Sequence, residues 1–149
     1  MEIRRYQKSD CKILIDLFYN TVHTINARDY SQEQLDVWAT NNINLEKWNQ
    51  SFLEHVTLVA ICDGIIVGFG DIDMNGFLDR LFVHAEYQKL GIATELCNQL
   101  EKYVQGDIIT HASITAKDFF IKRGYRVIKE QQVKRDEVYL KNFIMIKTQ

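Results

Sequence analysis

The sequence predicts an α/β (α+β) fold: a mixed, mostly antiparallel central sheet of about seven strands flanked by helices, in the order βααβββαβαββ. Three observations carry this. Apolar residues recur at helical spacing as far as Phe52 and change after His55 to the alternation and short apolar runs of strands. Two dipeptides, Asp63-Gly64 and Asn75-Gly76, separate three of those runs with the signal of tight antiparallel hairpins. The third run ends in Leu81-Phe82-Val83 and passes through a short polar loop directly into an amphipathic helix opened by Gly91.

Taken in order, Glu2 to Tyr6 alternates apolar and polar residues and predicts a strand with Ile3 inward. Ser9 or Asp10 offers an N-cap to a first helix whose stripe is Ile13, Leu14, Leu17, Phe18 and Val22. The pattern loosens from His23 to Thr40, with a helix capped by Ser31 running through Trp38, and Asn44 caps another short helix carrying Leu45, Trp48 and Phe52. These two segments are expected to form a lid-like region over one side. Strands then follow over Val56 to Ile61, Ile65 to Ile72 and Phe77 to Val83. Gly68-Phe69-Gly70 lies inside a strand and lacks a third glycine, so it reads as a bulge or a close approach rather than a phosphate loop. The Gly91 helix carries Ile92, Leu96, Leu100 and Val104 on one face and is expected to end near Gly106. Asp107 to Ala112 supplies a strand, Thr115 to Arg123 a helix stopped by Gly124, and Tyr125 to Val133 and Val138 to Ile146 two closing strands.

A chain of 149 residues with 46% hydrophobic content can bury one core and is short for two, so residues 1–149 are expected to form a single domain. There is no proline and no Ser/Gly-rich or repeated stretch to act as a linker. With a net charge of −2, the 18 basic residues gather into no stripe that would neutralise many phosphates, which argues against nucleic acid as a partner. The apolar runs Thr57 to Cys62 and Ile65 to Phe69 are too short to span a bilayer, and Met1 to Arg5 lacks the apolar centre of a signal peptide. A soluble cytoplasmic protein with no membrane partner is the expectation. Cys11, Cys62 and Cys97 are odd in number and far apart, as suits buried free thiols. His23, His55, His84 and His111 show no HxH or HExxH spacing, so no metal is expected.

The strand-to-helix junction is a ready anion site. The first turn of a helix leaves its N–H groups unpaired and carries the positive end of the peptide dipoles, and Gly91 lets the backbone approach a phosphate with no Cβ in the way. The spacing is Gln88-x-x-Gly91-x-Ala93. It resembles the pyrophosphate-binding motif, Gln/Arg-x-x-Gly-x-Gly/Ala, of the GCN5-related N-acetyltransferases, with Ala85 where relatives often carry proline. A second segment, Ala116-Lys117-Asp118-Phe119-Phe120-Ile121-Lys122-Arg123-Gly124-Tyr125, is similar to that family's Ala-x-x-Phe-Tyr-x-x-x-Gly-Phe, and the element order matches the family's topology.

The resemblance implies acetyl-CoA as co-substrate, held by Leu81, Phe82, Val83, Gln88, Lys89, Leu90, Gly91, Ile92, Ala93 and Thr94, with Ser113 and Phe120 beside the pantetheine arm and thioester. It implies transfer to a primary amine of a small molecule or peptide, and it leaves a homodimer open. The backbone at Phe82 and Val83 would contact the thioester where the fourth and fifth strands splay. Such chemistry needs a base, because an aliphatic ammonium has a pKa near 10 and must lose a proton before it attacks. Of Asp71, Asp73 and Asp79, the expected base is Asp79, on the strand leading into the motif; the plain alternative for all three is a salt-bridged or solvated carboxylate. Tyr30, Trp38 and His23 are the expected acceptor-binding residues. Phe120 stands where relatives often place a tyrosine that protonates the leaving thiolate, so a domain that binds CoA or acyl-CoA without turnover is the alternative.

Overall fold

Helix and strand follow the expected order except that three helices, not two, separate the first strand from the second, because each of the two short capped segments is a helix of its own. The computed structural model describes all 149 residues: β1 (Glu2–Arg5), α1 (Cys11–Thr24), α2 (Gln32–Trp38), α3 (Leu45–Glu54), β2 (Val56–Cys62), β3 (Ile65–Ile72), β4 (Phe77–Val83), α4 (Ile92–Leu100), β5 (Ile108–Ser113), α5 (Lys117–Lys122), β6 (Arg126–Arg135) and β7 (Val138–Lys147). The seven strands form one sheet in the order β1-β2-β3-β4-β5-β7-β6, antiparallel everywhere except between β4 and β5.

The caps expected at Ser31 and Asn44 act as such. Ser31 Oγ accepts from Gln34 N at 3.2 Å, and Gln34 returns a bond to Ser31 N, while Asn44 Oδ1 accepts from Lys47 N at 3.0 Å. Asp10 is the residue before α1, yet its carboxylate serves Arg4 and Gln7 N instead of the helix. On α1 the buried face is Cys11, Leu14, Ile15, Leu17, Phe18 and Val22; Ile13, counted in the stripe from spacing, is 48% exposed because it lies on the shoulder of that face. The Gly91 helix ends earlier than expected, at Leu100, and continues only as a 3-10 turn to Tyr103. The last hairpin turns on Asp136 and Glu137, both at positive φ (47° and 67°), a turn with no glycine to announce it.

The sheet separates two apolar layers. Helices α4 and α5 cover one face, where Ile92, Leu96, Leu100 and Phe120 pack on Leu58, Ile72, Leu78, Ile108 and Met145. Helices α1, α2 and α3 cover part of the other, with Leu14, Phe18, Val22, Leu35 and Phe52 against Val59, Phe69 and Leu140. Gly68 and Gly70 explain how close α4 lies. A Cβ on Gly68 would sit 3.0 Å from Ile92 Cγ2, and one on Gly70 would sit 2.9 Å from Leu100 Cδ1. Their role is therefore the close approach. At its far end α4 is fastened by buried Glu101, whose carboxylate accepts from Arg123, Lys147 and the Tyr125 hydroxyl at 2.7–2.9 Å. Burial alone would raise the Glu101 pKa; these donors outweigh it and hold the carboxyl below its usual range.

Candidate functional site

The site is built along β4. Its pairing with β5 is confined to Phe77 with Ile109 and Leu78 with Thr110, after which the two parallel strands part. From Asp79 to Val83 the edge of β4 that would face β5 thus has no strand beside it. Alternation places the N–H of Val83 on that open edge, because the next amide, His84 N, bonds back to Val67 O of β3 at 2.7 Å. The carbonyl of Val83 is already engaged, accepting from Gln88 Nε2 at 2.7 Å and from Thr21 Oγ1 at 3.2 Å.

Beyond Val83 a short turn over Ala85–Tyr87 is capped by His84, whose Nδ1 accepts from Glu86 N at 3.0 Å. Gln88 therefore reaches back and pins the loop to the strand. Lys89 and Gly91 then take positive φ, 62° and 85°, which swings the chain into α4. No hydrogen bond engages the backbone N–H groups from Lys89 to Thr94, and no side chain caps the helix. A Cβ added at Gly91 would meet nothing within 4 Å, so the ground above these amides is open. Six free donors at a helix start, with Lys89 alongside, fit a pyrophosphate. Of the expected donor-binding residues, Leu81, Phe82 and Val83 end β4 and Gln88 to Thr94 lead into α4, with the Ala85–Tyr87 turn between them.

Ser113 and Phe120 lie differently. Ser113 ends β5, and its Oγ accepts from Ala116 N at 3.0 Å, so its visible task is to turn the chain into α5. Across the ladder it faces Asn142, whose buried Oδ1 has no partner. Phe120 is 3% exposed and packs edge-on against Phe119 and Tyr125 in the core. Tyr125 supplies no substitute proton donor. Its hydroxyl donates to Glu101, and burial followed by that bond pushes its pKa far above the usual range.

Of the expected acceptor residues, Tyr30 and Trp38 pack together and His23 bonds to the residue that follows Trp38. The Tyr30 hydroxyl donates to Lys141 O at 2.6 Å and accepts from Ile114 N at 2.9 Å, which ties α2 to the sheet and leaves the hydroxyl occupied. His23 donates from Nε2 to Ala39 O at 2.8 Å and stacks on Tyr19, joining α1 to the end of α2. Trp38 comes nearest the open edge, its ring 6.4 Å from that of Phe82 and 5.3 Å from that of Tyr30.

A cluster absent from the sequence expectations lies at the other end of β4. Opposite Asp71 and Ile72 the ladder shifts by one residue, a bulge that leaves Asp79 unpaired and turned outward. Asp71 is fully buried. Its Oδ1 accepts from Arg80 N at 3.0 Å and its Oδ2 from His55 Nδ1 at 2.7 Å, with Arg80 Nη1 at 3.6 Å. Arg80 lies between the rings of Trp48 and Phe52, 4.7 and 4.6 Å from their centres, donates to Ser51 Oγ, and pairs with Asp79 at 3.3 Å. The hydrogen bond to Asp71 raises the His55 pKa against the opposing effect of burial. The third strand carboxylate, Asp73, accepts from Asn75 N and Phe77 N and so builds the β3–β4 turn. Although no motif spacing suggested it, the fold brings one oxygen each of Asp71 and Asp79 and a ring nitrogen of His55 within 4.8 Å of one another, with Arg80 as the cluster's cation.

Comparison with known proteins agrees with this geometry. An acetyltransferase (GNAT) domain model matches residues 26–145. The chain is 32% identical over 145 residues to the uncharacterized N-acetyltransferase YafP of Escherichia coli (strain K12), covering 97% of this chain and 94% of that one. It superposes on a GCN5-related N-acetyltransferase from Rhodopseudomonas palustris with a TM-score of 0.95 at 29% identity, covering 99% of this chain and 95% of that chain. The PaiA N-acetyltransferase of Thermoplasma acidophilum, solved in complex with coenzyme A, gives a TM-score of 0.80 at 21% identity, with 99% and 98% covered. No helix is long and apolar enough to cross a membrane. With a matched domain over most of its length, a relative above 30% identity and the strand-splay architecture of that fold, the chain belongs to the GCN5-related N-acetyltransferase (GNAT) family.

Proposed function

We propose that this acetyltransferase uses acetyl-CoA as donor and moves the acetyl group to a primary amine of a small-molecule or peptide acceptor, by direct attack in a ternary complex. The observation that carries the reading is the row of unengaged amides from Lys89 to Thr94 beneath open space at Gly91. It is the chain's clearest cradle for a diphosphate, and the PaiA relative was solved with coenzyme A. From there the pantetheine arm would run along the unpaired edge of β4, where the Val83 N–H could meet the developing oxyanion. Direct transfer is favoured over an acyl-enzyme. Cys97, the thiol nearest the loop in sequence, is buried in the α4 core, and burial pushes its pKa to about 12.

The test is binding. Acetyl-CoA and CoA should raise the melting temperature by mass action, equivalent to about 2.7 kcal/mol at a hundredfold excess over Kd. Gly91→Glu should abolish the shift by placing a carboxylate above the free amides, while circular dichroism shows the fold retained. No shift in the wild-type protein would overturn the assignment. A second reading, a domain that binds CoA or acyl-CoA without turnover, draws on Phe120, whose buried ring offers no proton to a leaving thiolate. A shift with acetyl-CoA but no acetylation across a broad amine panel would select it.

A further inference from the structure

Asp79 is the first residue of β4 beyond its last pair with β5, so it stands where the two strands begin to part and where the free edge of β4 starts. The bulge opposite Asp71 turns it out of the ladder, and its side chain keeps 34% of its surface exposed. Behind it lie His55 and Asp71. Asp71 has no exposed surface and both its oxygens are engaged, so it cannot itself meet an acceptor. It can orient one that does. With Nδ1–H donated to Asp71, the His55 ring leaves Nε2 bare, and the side chain is 19% exposed.

We propose that His55, with its ring fixed by Asp71, is the base that takes a proton from the acceptor amine, and that Asp79 receives that amine as an ammonium. This rests on the transferase reading above. An ordinary carboxylate, pKa about 3.9, is a poor match for an alkylammonium near 10.4, and an imidazole near 6.5 is a closer one. The charged groups facing His55 are Asp71 from β3 and Asp79 and Arg80 from β4. Burial raises the Asp71 pKa, and the His55 hydrogen bond and the Arg80 guanidinium, with Nη1 at 3.6 Å, work against that rise behind the ring. Its own position is fixed by Trp48, Phe52 and Ser51.

In the reaction the ammonium bound at Asp79 gives one proton to His55 Nε2, and its lone pair attacks the thioester carbonyl. A C–N bond forms, the tetrahedral centre collapses, and the C–S bond breaks with its electron pair leaving on sulfur. Two protons leave nitrogen in all: one ends on the CoA thiolate and the other passes through His55 to solvent.

Hydroxylamine separates a base from a scaffold, because it is largely unprotonated at neutral pH and needs no base to become a nucleophile. CoA release would be followed with hydroxylamine and with amines comprising an amino acid, a polyamine, an aminoglycoside and a peptide with a free N-terminus. His55→Gln should lower kcat/KM for a turned-over alkylamine by about a hundredfold and leave hydroxylamine within a few-fold. Asp71→Asn should move the acid limb of the pH profile to lower pH, since the ring loses its anionic partner. Asp79→Asn should raise KM for the amine more than it lowers kcat. All three should keep the acetyl-CoA melting shift. Equal losses with both nucleophiles, or no loss in His55→Gln, would overturn this inference alone. So would NMR showing neutral His55 protonated on Nε2. Wild-type protein that binds acetyl-CoA yet acetylates neither amine nor hydroxylamine would overturn the transferase reading and this inference together.

Discussion

The two ends of β4 do opposite kinds of work with opposite materials. At the C-terminal end a contiguous loop, Gln88 to Thr94, presents backbone amides, and its side chains mainly shape the turn: Gln88 pins it and Gly91 opens it. At the N-terminal end the groups are side chains drawn from α3, from His55 between α3 and β2, and from β3 and β4, and they are held by one another. A backbone site tolerates change in neighbouring side chains as long as the turn survives. A side-chain cluster around a buried charge does not, because removing one member leaves another unpaired in a low-dielectric interior.

Arg80→Met tests this contrast most severely. It should destabilise the fold by about 3–5 kcal/mol, read from urea denaturation, because Asp71 would be buried with no cation but His55. Adding Asp71→Asn should recover part of that loss. Gly91→Glu, by contrast, adds a side chain into open space and should cost the unliganded fold about 1–2 kcal/mol, chiefly the strain of a positive φ. An Arg80→Met cost below about 1 kcal/mol would put the two ends on equal terms and break the comparison.

The same contrast sets what the sequence could disclose. Asp63-Gly64 and Asn75-Gly76 gave the hairpins, and Ser31 and Asn44 gave two helix starts, because turn and cap chemistry is decided within four residues. The turn from Gln88 to Thr94 was legible for that reason: its spacing is its structure. His55, Asp71 and Arg80 are joined only by the register of β3 against β4 and by a bulge, and no periodicity encodes where a bulge falls. The bonds of the Tyr30 hydroxyl were hidden in the same way. The aromatic ring suggested a pocket, and the hydroxyl's partners, Ile114 and Lys141, lie 84 and 111 residues away.

A middle-sized effect tests Phe120. Because the ring is packed among Phe119, Tyr125 and the sheet, Phe120→Tyr should place a hydroxyl with no partner in the core and cost about 1–3 kcal/mol, with no gain in CoA release. If the variant were neutral in stability and faster in turnover, the ring edge would have to face the thioester sulfur, and the donor end would then depend on a side chain as the other end does.

The smallest effect concerns pH, and its sign separates the two ends. His55 titrates above its ordinary value in the folded chain because Asp71 bonds its charged form. A group whose folded pKa is raised binds its proton more tightly when native, so the stability it contributes is fully present below the unfolded value of about 6.5 and is lost as pH rises through the folded pKa. Urea midpoints should therefore fall as pH climbs through that window in the wild-type protein. His55→Gln should flatten this part of the curve, and Gly91→Glu should leave it unchanged. Asp10 and Glu101 cannot mimic the effect. Their folded pKa values lie below the usual carboxylate range, so their contribution is lost as pH falls, in a separate acidic window. A wild-type curve that is flat through the histidine window would mean that the ring gains nothing from Asp71, and the cluster would then be a packed ion pair of Arg80 and Asp71 with His55 as bystander.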